Sequence, residues 1–417
     1  MTQADELRAS VQHSMDLDAR DSLAGWRQQF TLAGDEIYLD GNSLGPMPRC
    51  VPAALETTLR SHWQNDLIRS WNDHGWIDLP ITLGEKIAPL LGAAPGQVVC
   101  TDSTSINLFK VLHVAMQIQG WKGSILSEAD NFPTDLYMAE NLRAVAPRGA
   151  LAFERVASED LAEAIDGSVS VLLLSHVNFK TGALHDLVDL TARAHQAGAL
   201  VIWDLSHSAG VMKIELDACQ VDFAVGCGYK FLNGGPGAPG YIYVAERHQN
   251  SARQPLWGWM GHAEPFQFAP RYEPAPGIKR YLTGTPAILS MVALDAALAV
   301  FDDLDLTLAR QKSKQLGEHL KDLITVSGVP LKLLSPSDAE ARGSQVSFTH
   351  HCAYGVVQAL IELGVIGDFR APNIIRFGLN PLFNSFQDIE RAVVLLKQVF
   401  DEGRHLERRF DERKPVT

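Results

Sequence analysis

The sequence predicts an α/β fold on a mostly parallel sheet, with a second, smaller domain, and three observations carry that expectation. Beyond residue 97, short apolar runs at 98–99, 124–126, 151–153, 169–174 and 199–203 alternate with helix-compatible segments. Strands rich in branched residues and spaced by helices build a parallel sheet covered on both faces. At 417 residues the chain exceeds the size at which one core stops growing, which sets the expectation of two domains. Its 46% hydrophobic and 20% charged residues are those of an ordinary globular protein, so neither a disordered nor a fibrous class applies.

The net charge of -13 argues against a nucleic-acid backbone or an anionic membrane as partner. It leaves room for an anionic small ligand held by local arginines and helix ends. No apolar run is long enough to span a bilayer, and the N-terminus lacks the basic start and apolar centre of a signal peptide. The five cysteines, at 50, 100, 219, 227 and 352, show no paired spacing, which reads as reduced thiols in a cytoplasm and no metal site.

Taken in order, residues 17–30 are helix-compatible and 37–39 form a short strand. Gly41, Gly45 and Pro46 end it in an irregular turn carrying Asn42 and Ser43, either a plain turn or a ligand-facing loop. Residues 51–69 read as a helix. Beyond it Trp71 and Trp76 flank His74, as loop anchors or as part of an aromatic pocket.

In such sheets ligands bind beyond the carboxyl ends of the strands, so the residues after each apolar run are the informative ones. After 98–99 come Ser103, Thr104 and Ser105, at the start of a helix expected over 108–116. Free amides and the helix dipole make this a phosphate-sized anion site, or simply a capped helix end. The glycine patterns of dinucleotide and nucleoside-triphosphate sites are missing there. After 124–126 comes Phe132 beside Pro133, a ring that stacks on a flat ligand or plugs the core. The next two runs exit into Ser175 and Asp204. Asp204 enters a place where an isolated charge is costly, so it needs a partner. The run 221–225 delivers Lys230 to the edge of a turn holding four glycines and two prolines. A lysine so placed is an ordinary strand-end side chain or an amine kept ready as a nucleophile.

From residue 304 the chain becomes more helical and charged, with strands expected at 331–334 and 344–348. The expected division is 1–45 as an N-terminal segment packing with the small domain, 46–303 as the large domain and 304–417 as the small one. The tail mixes both charge signs and reads as a solvated end.

A lysine, an enclosed aspartate, a hydroxyl-rich helix start and an aromatic ring at successive strand ends match what pyridoxal 5′-phosphate requires. Over nearly its whole length the sequence resembles the kynureninase family of fold-type I pyridoxal phosphate enzymes. The resemblance lies in Tyr38-Leu-Asp-Gly-Asn-Ser-Leu-Gly45, Asn131-Phe-Pro-Thr-Asp135, Trp203-Asp-Leu-Ser-His-Ser-Ala-Gly210, Gly228-Tyr-Lys-Phe-Leu-Asn-Gly-Gly-Pro-Gly237 and Trp257-Gly-Trp-Met-Gly-His262.

That resemblance implies an aspartate aminotransferase-like fold, with a mainly parallel seven-stranded sheet and a smaller α+β C-terminal domain. It implies hydrolysis of L-kynurenine to anthranilate and L-alanine, in tryptophan catabolism. Lys230 is similar to the Schiff-base lysine and Asp204 to the partner of the pyridine nitrogen. Thr104 and Ser105 take the phosphate end, Phe132 the stacking position, and Asp135, Ser175 and His207 further cofactor contacts. Tyr229, Trp259 and Thr285 resemble phosphate-side residues, with Tyr229 also a late proton donor. Arg376 looks like the arginine that pairs with the substrate α-carboxylate, with a surface ion pair as its plainer alternative. Trp71, Trp76 and His262 would wall the aryl pocket, beside Asn42 and Ser43. The resemblance further implies a homodimer whose sites lie at the subunit boundary, with Trp71 and Thr285 crossing it. Gly284, Thr285 and Trp71 stand where relatives preferring the 3-hydroxylated substrate carry serine, asparagine and histidine, which implies a preference for kynurenine. The nearest alternative is a cysteine desulfurase-like enzyme of the same fold type. It needs a mobile catalytic cysteine, and the late candidate Cys352 reads as a small buried hydrophobe.

Overall fold

The computed structural model describes residues 3–32, 34–146, 151–251, 253–410 and 412–414, with side chains from residue 11 onward. A two-residue strand, β1 (Ile37–Tyr38), precedes the large sheet. That sheet comprises β2 (Val98–Cys100), β3 (Ser124–Glu128), β4 (Ala152–Val156), β5 (Val169–Ser175), β6 (Leu200–Asp204), β7 (Phe223–Cys227) and β8 (Gly240–Val244). Its order is β2-β8-β7-β6-β5-β3-β4, and β8 runs against the other six. The mainly parallel, seven-stranded sheet expected from the sequence is therefore present. Residues 228–239 hold no helix to carry a parallel crossover, so β8 returns antiparallel.

The sheet is buried on both faces at its centre because β5 and β6 carry apolar residues on both sides of the pleat. Leu172 and Leu174 of β5, with Val201 and Trp203 of β6, face one core, while Val171, Leu173 and Ile202 face the other. This two-residue alternation is the pleat of a strand, and apolar residues on both sides leave no face for water.

The C-terminal part adds β9 (Lys332–Leu333), β10 (Gln345–Thr349), β11 (Val365–Ile366), β12 (Asp368–Arg370) and β13 (Ile374–Gly378). Four of these form an antiparallel sheet in the order β12-β13-β10-β9, and β11 pairs in parallel with β1. Ile37 and Leu39 thereby join a separate core with Leu316, Val346, Ile375 and Ile389, whereas Phe30 packs into the core of the large sheet. The N-terminal segment thus contacts both parts.

Several elements differ from the sequence reading. The helix expected over 17–30 is instead Gln3–Ala19 followed by a short 3₁₀ turn, Ala24–Gln29. The one expected over 51–69 is α-helical only from Val51 to Thr57 and π-helical over Thr58–Asp66, and it breaks at Leu67, whose φ is +51°. β12 was not foreseen, because Asp368-Phe-Arg370 has too few residues to show alternation.

At the amino edge of the sheet, Asp222 is buried and gripped by His248 Nε2 (2.7 Å), His195 Nε2 (2.9 Å), Arg247 Nη2 (2.6 Å) and the Val201 amide (2.8 Å). Burial alone would raise this carboxyl, but the His248, His195 and Val201 bonds outweigh it and bring it from 3.8 down to about 2. A depressed folded value means stabilisation that is present above the unfolded value and lost as pH falls through the folded one. Asp222→Asn is expected to cost roughly 2 kcal/mol at neutral pH. Its deficit in thermal melts should shrink between pH 4 and 2; an unchanged melting temperature at pH 7 refutes the assignment.

Candidate active site

The register sets Ser175 beside Asp204 and Asp204 beside Val225, so the carboxyl ends of β5, β6 and β7 lie level. The chain leaves β7 through Gly228 to reach Lys230. Both nearby glycines are required by close packing: a Cβ on Gly226 would lie 2.1 Å from the Tyr241 hydroxyl, and one on Gly228 would lie 2.7 Å from the Pro239 carbonyl. Gly45 presses on the lysine from the other side, since its Cβ would fall 2.3 Å from the Lys230 carbonyl oxygen and its amide donates to Tyr229 O (2.9 Å). Gly45→Ala is therefore expected to displace the Lys230 peptide and cost about 1–3 kcal/mol of stability. Thermal melts check this, and a melting temperature equal to wild type contradicts it.

Phe132, Ser175, Val177, Phe179, Asp204, Ser206, His207 and Lys230 line one small cavity at this edge. Lys230 Nζ lies 3.0 Å from His207 Nε2 and 5.8 Å from the ring centres of both Phe132 and Tyr229. Phe132 keeps 38% of its surface exposed and meets Phe179 edge-to-face, so it is a wall of the cavity and no core plug. Asp204 is buried, and its Oδ1 accepts the Ser206 amide at 2.8 Å. Beside it, burial and then the charge of Asp204 push the Asp135 carboxyl well above the usual range. Burial beside Asp204 therefore favours the protonated form of Asp135. Ser175 Oγ lies 2.6 Å from Asn131 Oδ1 and 3.3 Å from Asp135 Oδ2.

His207 is buried, and burial followed by the Lys230 and Arg376 charges pushes it well below its ordinary range, so the ring is neutral. The lysine donates to Nε2, which leaves the remaining ring proton on Nδ1. That buried Nδ1 has no hydrogen-bond partner among the described residues. An unsatisfied buried donor of this kind is costly unless a ligand meets it.

At the phosphate end, Ser103 is the helix cap, its side chain accepting from the Ile106 amide (3.5 Å). Thr104 and Ser105 then open the helix Thr104–Ile118, half-exposed, in a first turn whose amides have no intrahelical acceptor. A Cβ on Gly240 would lie 3.0 Å from the Thr104 amide, so this start abuts the β7–β8 turn that carries Lys230. Buried Lys110 binds Asp102 Oδ2 (2.5 Å) and the Tyr281 carbonyl (2.6 Å), and Met260 N donates to Thr283 O (3.2 Å). Those bonds bring the segments of Trp259 and Thr285 beside the helix start. Neither residue lines the Lys230 cavity: Trp259 is half-buried against Phe266 and Thr285 is exposed.

Arg376, on β13, lies opposite Asp368 of β12 and is buried, which excludes the surface-pair alternative. Its Nε donates to Asp368 Oδ1 (2.6 Å), Nη2 to Asp368 Oδ2 and to Ser43 Oγ (3.1 Å), and Nη1 to the Phe179 carbonyl. Since Phe179 also lines the lysine cavity, the arginine stands next to it. Asn42 Nδ2 donates to Gln345 Oε1 (3.2 Å), and Gln345 Nε2 to Phe179 O (3.1 Å). Asp368, Gln345 and Phe179 were missed in the sequence: Asp368 and Gln345 follow none of the apolar runs that singled out the others, while Phe179 lies just beyond the run 169–174 and was passed over in favour of Ser175.

Trp71 and Trp76 meet edge-to-face at 6.0 Å, beside a stacked His62–His74 pair, and they, like His262, do not line the cavity. Cys352 is half-buried just before the helix Ala353–Glu362, which corrects its reading as a buried hydrophobe, and it too is outside the cavity.

A lysine and an aspartate on one cavity, with a ring, a partnerless imidazole nitrogen and an open helix start around them, fit pyridoxal phosphate in charge and donor set. On a seven-stranded sheet of this order they define a fold-type I pyridoxal phosphate enzyme. Solved structures agree on the fold: an apo cysteine desulfurase from Thermococcus onnurineus NA1 superposes with a TM-score of 0.78 at 18% identity, over 91% of this chain and 98% of that one. The cystine C-S lyase C-DES gives 0.75 at 20% identity, over 87% and 98%. At such identities these likenesses speak for the fold alone. The kynureninase C-terminal domain family matches residues 309–396. A kynureninase of Deinococcus radiodurans is 48% identical over 393 residues, 93% of this chain and 95% of that protein, and one of Pseudomonas fluorescens is 45% identical over 407 residues, 96% and 98%. The chain belongs to the kynureninase family.

Proposed function

We propose that this chain catalyses hydrolytic Cβ–Cγ cleavage of L-kynurenine to anthranilate and L-alanine, with pyridoxal phosphate as cofactor. The observation that carries this is Lys230 and Asp204 on one cavity with the Phe132 ring, in a chain of kynureninase-family sequence. Bound there, pyridoxal phosphate supplies an electron sink for carbanions next to the substrate nitrogen. Lys230 anchors the cofactor and, once released, moves the α-proton at Nζ. Asp204 would hold the proton on the pyridine nitrogen, with Phe132 placed to stack on the ring and Asp135, Ser175 and His207 completing its surroundings. Thr104 and Ser105 receive the phosphate at the helix start, with Tyr229, Trp259 and Thr285 around it. Burial, then Cys227 and Asp204, raise the Tyr229 phenol well above its ordinary range, so it stays protonated at neutral pH and is assigned the late proton donation on the family resemblance. Arg376 binds the α-carboxylate through parallel charge-assisted bonds, bordered by Asn42 and Ser43.

The purified protein is expected to be yellow, and on addition of L-kynurenine to lower the substrate absorbance as anthranilate fluorescence rises. A protein that takes up no pyridoxal phosphate overturns the reading. Alanine release from cysteine, lost in Cys352→Ala, would favour a desulfurase instead.

We further infer a homodimer, because Trp71 and Thr285 stay outside the cavity of their own chain and Leu44, Met47, Leu59 and Leu289 expose an apolar cleft beside Gly45 and Asn233. A monomer by analytical ultracentrifugation contradicts this. The same reading divides the chain at 46 and 304, places it in the cytoplasm on its five free thiols, and gives kynurenine the higher kcat/KM over 3-hydroxykynurenine.

A further inference from the structure

A guanidinium offers five N–H donors in a fixed fork, and around Arg376 four acceptor atoms take four of them. Asp368 closes the side-on edge through Nε and Nη2. The end-on edge, one N–H each from Nη1 and Nη2, is left to neutral acceptors, the Phe179 carbonyl and Ser43 Oγ. Ser43 in turn donates to Asp368 Oδ2 (2.9 Å), and Arg370 Nη2 reaches the same oxygen at 2.9 Å. Asp40 stands beside this group with its Oδ1 buried and unpartnered among the described residues.

We propose that Asp368 is a positioning residue that clamps Arg376 side-on and aims its end-on edge at the substrate α-carboxylate, and that Asp40 carries the proton that leaves the cluster one positive charge to receive it. The inference rests on the reading of Arg376 as the carboxylate partner. Two neutral acceptors are poor partners for a buried guanidinium edge, and a carboxylate displacing them turns two ordinary hydrogen bonds into a bidentate charged pair. Charge then decides the role of Asp40. Arg370 and Arg376 against Asp368 leave one positive charge when Asp40 is neutral, and the incoming carboxylate cancels it. With Asp40 ionised, the substrate would enter a neutral cluster and leave an uncompensated buried negative charge.

The groups facing Asp40 are Asp368, Ser43, Arg376, Arg370 and Tyr38. Burial and then Asp368 raise its carboxyl to about 7, against the lowering by Ser43, Arg376 and Arg370. Substrate affinity is thus expected to be full below that value and to weaken as pH rises through it.

The test measures KM and kcat of the holoenzyme for L-kynurenine between about pH 6 and about pH 9, where a carboxyl so raised titrates. Asp368→Asn is expected to raise KM roughly ten- to hundredfold, with kcat changed less than about threefold. Asp40→Asn, isosteric with the protonated acid, is expected to hold KM flat where wild-type KM climbs above neutral pH. Should Asp368→Asn lose its cooperative melt, the Asp40→Asn profile decides. An unchanged KM in a folded Asp368→Asn, or an alkaline climb retained in Asp40→Asn, overturns the proposal. Arg376→Lys separates the two levels: if it leaves KM unchanged, the carboxylate assignment itself fails.

Discussion

Replacing Lys230 by alanine is expected to remove the visible absorbance band of the lysine-bound cofactor and to lower turnover of L-kynurenine by roughly 10⁴-fold, the upper range for losing a placed general acid or base. The geometry leaves no substitute. Lys230 Nζ is the amine among the residues lining the cavity, and its neighbour there, His207, is buried, neutral and held through the lysine itself. Lys110 is buried too, but Asp102 and the Tyr281 carbonyl occupy it at the phosphate end. The fold should survive, because Lys230 is half-exposed and makes one side-chain hydrogen bond, to His207. The variant should therefore melt near the wild-type temperature and retain pyridoxal phosphate noncovalently through the helix start and Asp204. Absorbance after desalting, with anthranilate fluorescence under added substrate, checks both halves. Turnover within tenfold of wild type would remove Lys230 from the mechanism.

The parts of the molecule legible in the sequence are those where one chain segment carries its own signal. Residues 169–174, apart from Ser170, and 199–203 are apolar because both faces of their strands are covered, and each run ends where the cavity begins. Lys230 and Asp204 could be read from position alone, as polar residues at the ends of such runs. Gly45 stands out in the sequence only as a glycine, and what it makes room for, the Lys230 carbonyl, lies far along the chain. The carboxylate end was least legible. Asp40, Ser43, Asp368 and Arg376 come from the first and last parts of the sequence, and β12 is too short to show a period. Asp368 matters only because an antiparallel register sets it opposite Arg376, and a strand of three residues carries too little pattern to show that register. Trp259 and Thr285 were legible by resemblance only, and in one chain they sit beside the helix start and apart from the lysine.

Asp204→Asn is expected to lower kcat by about 10²–10³-fold with little change in KM, the size of effect seen when one preorganised electrostatic partner of a developing charge is lost. Asparagine can still hydrogen-bond at this strand end, since the Ser206 amide finds an oxygen there, so the site should keep its shape. What disappears is the negative charge. In the present arrangement burial and the charge of Asp204 favour the protonated form of Asp135. Removing the charge of Asp204 relieves the repulsion on Asp135, whose carboxyl should then titrate nearer its ordinary range. A carboxylate displaced to position 135 is still charged, but it bonds to Ser175 and lies one residue layer from the cavity wall formed by Asp204. Asp135→Asn should accordingly cost far less, at most about tenfold in kcat, because the asparagine amide, isosteric with a protonated acid, still offers an N–H donor and leaves the charge of Asp204 in place. The visible absorbance band offers an independent readout: its position in Asp204→Asn should move, while in Asp135→Asn it should stay near wild type. Equal losses in both variants would mean that the pair works as one unit, and no loss in Asp204→Asn would take the aspartate out of the cofactor's reach.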